Sequence, residues 1–424
     1  MDTFEPCFMG RFALYPTWCP MRLTLVVTMF PSVSETFIFR KAVGLAARGH
    51  EVHLITHILG DWKPFQSELP LPPTLSIIVL PQWKPYNVRA SFITTRQIVL
   101  LFLRLGCYPV SAWKLWLLCY RKARPKSALR QFVKYLPFLG LQPDIIHFEF
   151  LGVAANYPLM GEWLNVPIAL SCRGADLHLL EQRHRLIIEK YTACLRQANA
   201  VHCVSDEMAL EVTRLSGRTE GIWVNRPAVA VEQISMRPME VNGVPPKIIA
   251  VGRLVWKKGF DYLLAALLKI KQQQIDFIAE IVGGGPLYEG LKATVSSLGL
   301  SECVILSGPL PPVQVVQRLQ QSDIFVLSSH EEGISNAFLE AMAVGLPVIT
   351  FDVGGMREAI LDGREGYIVP ARDVARLAER IADLLKDNEQ RKQMGMAARQ
   401  RVETEFALQR QVETFEQMYF ILTQ

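Results

Sequence analysis

The chain has 424 residues, half of them hydrophobic and one fifth charged, which is enough for two domains with a core each and too apolar for a disordered chain. Its net charge of +5 is uneven: residues 69–143 carry eleven Lys or Arg and no acid, leaving 34 basic against 40 acidic residues elsewhere. Eight cysteines without C-x-x-C or Cys/His ligand spacing argue against a zinc site or a disulfide framework, and point to a reducing, cytoplasmic setting.

Residues 1–20 have neither a basic leader nor a long apolar run, so they are expected to be a loose extension rather than a signal peptide. From Met21 onward short apolar strands alternate with amphipathic stretches. The first series comprises RLTLVVT (22–28), a helix over 34–48, EVHLITH (51–57), DIIHFEF (144–150), PIALSCRG (167–174) and AVHCVS (200–205). After WVNRPAV (223–229), the Pro- and Gly-rich segment 236–246 reads as a linker. A second series comes next: KIIAVGRL (247–254), FIAEIVGGG (277–285), CVILSG (303–308), DIFVLSS (323–329) and PVITFDV (347–353), then a polar helical tail over 373–424. The expected class is α/β, with two Rossmann-like parallel-sheet domains, 21–235 and 247–404, facing a cleft. Residues 405–424 are expected to form a helix returning to the first domain.

Within the acid-free region, 97–120 is strongly apolar, yet Arg104, Pro109 and Lys114 interrupt it before the ~20 residues a membrane span needs. With RKARPK (121–126) behind it, the stretch 84–134 reads as an amphipathic face for an anionic membrane surface, against the plainer reading of two core helices with a solvated basic side. No nucleic-acid partner is expected.

Ligands in such sheets settle at the carboxyl ends of strands. In VGRLVWKKGFDYL (251–263), Arg253 and Lys258 follow a strand and can bracket a diphosphate, Arg by a planar fork and Lys as a point charge, while Lys257 is expected to face solvent. They would also stabilise charge on a departing group, which makes them catalytic candidates. In VGGGPL (282–287), Gly283 and Gly284 permit close backbone approach to a base or phosphate, or merely form a tight turn. HEEGISNAFLEAMAVG (330–345) runs from a strand end into a helix capped by Ser335 or Asn336. The unpaired amides of Gly333, Ile334, Ser335 and Asn336 favour phosphate oxygens. Glu340, inside that helix, suits ribose hydroxyls, and Glu332 suits hydroxyls of a transferred sugar; a solvated loop glutamate and a helix-surface glutamate would show the same spacing. In the first half, Ser34 and Glu35 begin a helix that could face a donor or acceptor. His147, Glu149, Arg173 and Asp176 end two strands near the cleft floor, where each could touch an acceptor or hold structure.

Together GRLVWKKG (252–259), VGGGP (282–286) and EGISNAFLEAMAVGLPVI (332–349) resemble the retaining glycosyltransferases of family 4, which have the GT-B fold. The run FPSVSETFIFRKAVGLAARGHEV (30–52) resembles the branch that includes transferases of colanic acid and other exopolysaccharides. The resemblance implies transfer of a hexose from a nucleoside-diphosphate sugar to a saccharide or lipid-linked acceptor, at the inner face of the plasma membrane and without a metal or other cofactor. It places Glu340 at the ribose, Glu332 at the donor sugar, and Arg253 and Lys258 at the diphosphate. Two departures stand out. Arg173 replaces the histidine of the usual His-Gly-x-Asp, and Arg226-Pro227-Ala228-Val229-Ala230 replaces the usual Asn-Gly-Val-Asp. They leave room for a catalytically weak nucleotide-sugar binder that regulates or scaffolds polysaccharide assembly, or for an epimerase or phosphorylase on the same fold.

Overall fold

The computed structural model describes residues 19–32, 35–80, 106–122, 125–173, 185–238 and 245–424. Ser34 and Asp176, residues 1–18 and the stretch 81–105 lie outside that set. Two parallel sheets carry the chain. The first is built from β1 (Arg22–Phe30), β2 (Glu51–Leu59), β3 (Leu75–Val79), β4 (Ile145–Phe148), β5 (Ile168–Cys172), β6 (Ala200–Cys203) and β7 (Ile222–Val224), in the order β3-β2-β1-β4-β5-β6-β7. The second is built from β8 (Lys247–Val251), β9 (Ile278–Val282), β10 (Val304–Gly308), β11 (Ile324–Leu327), β12 (Val348–Phe351) and β13 (Gly366–Val369), in the order β10-β9-β8-β11-β12-β13. In each sheet the strand order reverses beside the first strand, between β1 and β4 and between β8 and β11, and it is there that parallel sheets open a crevice.

The central strands are mostly apolar because helices cover both of their faces. Leu23, Leu25, Val26 and Val27 of β1 are fully buried, as are Ile324 and Phe325 of β11. Where the sequence suggests strands over 167–174 and 277–285, pairing stops at Cys172 and Val282. Two strands lack a clear sequence signal. β3 comes after a Pro-rich approach, and β13 has only four residues, Gly366–Val369.

The polar tail forms three helices, Val374–Lys386, Asn388–Glu405 and Leu408–Thr423. Asp373 and Asp387 start the first two by accepting the amides of Arg376 and Gln390. The third crosses back to the first sheet after a bridge between Val229 and Ala407. There Val412, Phe415, Met418 and Tyr419 join the core formed by Leu23, Leu25, Ile38 and Ala42. Gln411 ties this crossing down, donating to the Arg226 carbonyl at 2.7 Å while its own carbonyl accepts from Asn225 Nδ2 at 2.9 Å.

The two units also meet directly. A Cβ on Gly333 would stand 3.2 Å from Val204 Cγ2, and one on Gly355 would stand 2.9 Å from Ser205 Cβ. Glu358 accepts the amides of Asp206 and Glu207 at 2.8 and 3.3 Å, placing a carboxylate at the start of helix Asp206–Ser216, and Arg226 bridges Glu358 and Asp206. The C-terminal helix is thus part of the first core, and Phe415→Ala should cost about 3–5 kcal/mol in urea unfolding. Hydrogen exchange should lose protection in β1, β2 and β4 before β8, β11 and β12; equal loss in both sheets would contradict this placement.

Candidate active site

The second domain supplies three strand-end loops. Residues 252–254, after β8, are stitched to the loop after β9: the amides of Gly252 and Leu254 donate to the carbonyls of Val282 and Gly284 at 3.0 and 2.9 Å. Gly283, with φ 153°, is required there, since a Cβ would lie 1.9 Å from the Gly252 carbonyl oxygen. Its role is to seat one loop on another; Gly284 faces the Pro309 ring, 3.3 Å from where its Cβ would be. Arg253 is exposed and makes no ion pair among the described residues.

Lys258 ends a short 3-10 turn, Trp256–Lys258, and Gly259 follows it in left-handed geometry, where a Cβ would strike the Ser328 carbonyl oxygen at 2.0 Å. This contact locks the β8 loop to the end of β11. The result is an ion pair between Lys258 Nζ and Glu332 Oε2, both mostly buried, with Ser329 Oγ donating to the same carboxylate oxygen at 3.2 Å. Lys257, expected to face solvent, is instead partly buried; its carbonyl accepts the His330 amide at 2.7 Å, and burial lowers its pKa against the pull of Glu332.

Helix Asn336–Ala343 begins at Ser335, which is the N-cap by backbone geometry yet makes no side-chain capping bond. Phe338, Leu339 and Met342 are fully buried, and that apolar stripe fixes the helix's rotation. The first-turn amides keep no protein acceptor among the described residues, no acid stands in that turn, and the buried Asn336 Oδ1 is unpartnered. Glu340, on the remaining face, reaches into the other domain, its Oε1 lying 3.2 Å from Arg40 Nη2.

In the first domain, Glu35 is the N-cap residue of helix Thr36–Ala47, and its amide donates to the Ser32 carbonyl at 3.0 Å. His147 and Glu149, expected at the cleft floor, are buried and fully engaged. Glu149 binds Lys41 Nζ at 2.6 Å and Arg173 Nη2 at 2.8 Å. His147 Nδ1 faces Lys41 Nζ at 3.1 Å and the Tyr419 hydroxyl at 2.6 Å, and its Nε2 faces Ser171 Oγ at 2.8 Å. Ser171 Oγ continues to His202 Nδ1 at 2.7 Å, and His202 Nε2 donates to the Asn225 carbonyl at 2.7 Å. Burial holds both imidazoles neutral, His147 well below the usual histidine range and His202 at about 3. Burial also lowers Lys41 to about 8 against the attraction of Glu149. Burial alone would raise the Glu149 carboxyl, but Lys41, His147 and Arg173 together hold it well below the carboxylate range. Neither His147 nor Glu149 can therefore present a free group to an acceptor. Arg173 is turned inward as well, stacking 3.9 Å above the Phe37 ring.

The facing loops, the uncapped helix and the two matched sheets are the arrangement that comparison with known proteins identifies. The model described as "Glycosyl transferases group 1" matches residues 232–401, and that described as "Glycosyl transferase 4-like domain" matches residues 34–227. The chain belongs to the family 4-like glycosyltransferases of the GT-B fold. WcaL of Escherichia coli (strain K12), whose name assigns it to colanic acid biosynthesis, is 26% identical over 91% of this chain and 96% of its own length. The amylovoran biosynthesis glycosyltransferase AmsK of Erwinia amylovora is 27% identical over the same shares. Anabaena HepE, crystallised with UDP-glucose, is similar with a TM-score of 0.71 at 16% identity, over 95% of this chain and 99% of that one, a likeness that speaks to the fold.

Several groups in this glycosyltransferase's cleft and the buried network behind it have no plain sequence signature: Arg40, Lys41, Ser171, His202 and Tyr419, and Gly354, whose Cβ would strike the Glu332 carbonyl oxygen at 1.6 Å. One signal is available. Lys41 sits in the apolar stripe of Ile38, Phe39, Ala42 and Leu45, where a cation needs a buried partner. Lys41→Met should destabilise the protein by about 3–5 kcal/mol in urea titration, because it strips one cation from a buried carboxylate, and adding Glu149→Gln should recover part of that loss. The Glu149 carboxyl is depressed on folding, so its contribution is present above the ordinary glutamate range and fades as pH falls through it. A wild-type melting temperature that held level down through that range, or a double variant no better than Lys41→Met, would contradict the pairing.

Proposed function

We propose that this chain transfers a hexosyl group from a nucleoside-diphosphate sugar to a saccharide or lipid-linked acceptor in cell-surface polysaccharide assembly, with retention of anomeric configuration and without a metal ion. The observation that carries the reading is the Lys258–Glu332 pair standing beside an uncapped helix start. Without donor, the lysine and the glutamate neutralise each other. With donor, diphosphate oxygens take over Lys258, Arg253 and the amides near Ser335 and Asn336, and Glu332 is released to accept from sugar hydroxyls. Glu340 accepts from the ribose.

The chemistry asks little of side-chain bases. As the bond from the anomeric carbon to the phosphate oxygen breaks, the acceptor oxygen forms its bond to that carbon on the same face, and its proton passes to the departing phosphate oxygen. The protein's task is to hold negative charge on the leaving diphosphate, for which two cations and a helix start serve where a metal otherwise would. HepE's complex with UDP-glucose supports a nucleotide sugar as donor, and the names of WcaL and AmsK support a polysaccharide product.

The acceptor side is the first domain. Helix Pro109–Lys122 is anchored through Ala112, Leu115 and Cys119 and helix Pro125–Tyr135 through Ala128 and Tyr135, and together they leave Val110, Trp113, Tyr120 and Leu129 exposed beside Arg121 and Lys122. No helix among the described residues is long and apolar enough to cross a membrane. We read this face, the described part of 84–134, as a dock on the anionic cytoplasmic surface of the plasma membrane; the seven described cysteines, none of them in a disulfide, accord with that compartment.

In a thermal-shift screen with UDP-, GDP- and ADP-sugars, one donor should raise the melting temperature. Lys258→Ala should then lower kcat by about 10²- to 10³-fold while leaving the fold intact, and EDTA should not affect wild-type turnover. Binding without turnover for any donor and acceptor pair would favour a regulatory binder. Flotation should recover the wild type with anionic liposomes in preference to neutral ones, and a Trp113→Ala/Arg121→Gln/Lys122→Gln variant should lose that preference.

A further inference from the structure

Arg40 belongs to the first domain, yet its guanidinium ends in the second. On helix Thr36–Ala47 it stands between Phe39 and Lys41, which are 3% and 1% exposed, so the helix's rotation is fixed by its buried neighbours and Arg40 is held at the cleft edge. Its Nη2 lies 3.2 Å from Glu340 Oε1, with side-chain exposures of 20% for the arginine and 13% for the glutamate. Neither residue has another polar side-chain partner among the described residues, so the second oxygen, Oε2, remains open. Elsewhere in the interface, Arg226 pairs with Asp206 of its own domain and with Glu358 of the second.

We propose that Arg40 is a positioning residue that couples donor binding to closure of the cleft: it holds Glu340 by one oxygen while the other accepts from the ribose of a nucleoside diphosphate. The inference rests on the donor-site reading and adds to it the residue through which the first domain detects an occupied site. Three physical points support it. A carboxylate has lone pairs on both oxygens and can serve a guanidinium and a hydroxyl together. A carboxylate close to a diphosphate is opposed by the phosphate charge, and a guanidinium on its far side offsets that repulsion. A ligand closes a cleft only in proportion to its preference for the closed form, and a carboxylate shared between ribose and Arg40 supplies that preference, because the contact to Arg40 exists only when the domains meet. At this edge of the cleft the link is one partly exposed ion pair, which contributes little and can break for exchange of donor.

The experiment uses the full chain with UDP-glucose, GDP-mannose and ADP-glucose as probes, comparing wild type, Arg40→Ala and Arg40→Lys. Expected for Arg40→Ala are an unchanged ligand-free melting temperature, a donor KM about tenfold higher, a kcat changed by less than about threefold, and loss of the donor-induced fall in radius of gyration that wild type shows in small-angle scattering; Arg40→Lys should recover part of both effects. A donor KM and donor-induced compaction in Arg40→Ala equal to wild type would overturn the coupling and leave the donor site standing. So would a loss confined to kcat or to ligand-free stability. Wild type that neither binds nor compacts with any of the three probes would overturn the coupling together with the donor-site reading.

Discussion

The contact on which the rest of the cleft depends is the ion pair between Lys258 and Glu332. It joins the loop after β8 to the loop after β11, across the line where the strand order of the second sheet reverses. Two glycines make the approach possible. Gly259 lets the turn lie against the Ser328 carbonyl, and Gly354 lets the loop after β12 lie against the Glu332 carbonyl; a side chain at either would push the loops apart by more than an ångström. With backbones this close, the lysine and glutamate side chains meet as an ion pair. Their mutual neutralisation leaves the site nearly balanced in charge, and in the donor-site reading we propose, a diphosphate would enter by exchanging partners rather than by creating a new buried charge.

The first sheet solves a different problem with similar parts. Its central strands carry Thr24, His147, Ser171 and His202 where the second sheet is nearly all apolar, and each of these polar groups is fully buried. Buried polar groups need partners; His147, Ser171 and His202 bond one another within the sheet, and further partners come from outside it: Lys41 from the first helix, Tyr419 from the last, and the Asn225 carbonyl from the crossing between domains. The network therefore fixes the rotation of the first helix and the seat of the last one. Because Lys41 is held by Glu149, its neighbour Arg40 is aimed at the second domain. A polar core here sets direction, a task that a purely apolar stripe performs less strictly.

Much of this architecture is legible in the chain. The apolar runs 22–28, 247–254 and 323–329 overlap β1, β8 and β11, since strands covered on both faces are largely hydrophobic. The strand-end positions of Arg253, Lys258 and Glu332, and the helical position of Glu340, come from the same reasoning. What periodicity does not disclose is which strand ends face each other and how deep a polar side chain lies. His147 and Glu149 read as cleft residues because they close a strand; they are buried because the C-terminal helix, more than 250 residues later, covers them. Arg40 is hidden for the converse reason: a cation on a helix surface looks solvated until a carboxylate from another domain is placed opposite it.

Arg173 shows how such a network bears on chemistry. It stands where the family often has a histidine, but its guanidinium is taken by Glu149 at 2.8 Å and by the face of Phe37. Lys41 already pairs with Glu149, and Arg173 adds a second cation that keeps the carboxylate ionised in a water-free setting. Releasing the guanidinium toward a sugar would leave Glu149 with one partner fewer and expose the Phe37 ring, so the inward position is held from two sides. A histidine is too short to satisfy Glu149 in this paired, stacked manner and still reach the cleft. At this position the chain thus carries a structural residue, paired with Glu149 and stacked on Phe37, in place of one that faces the cleft.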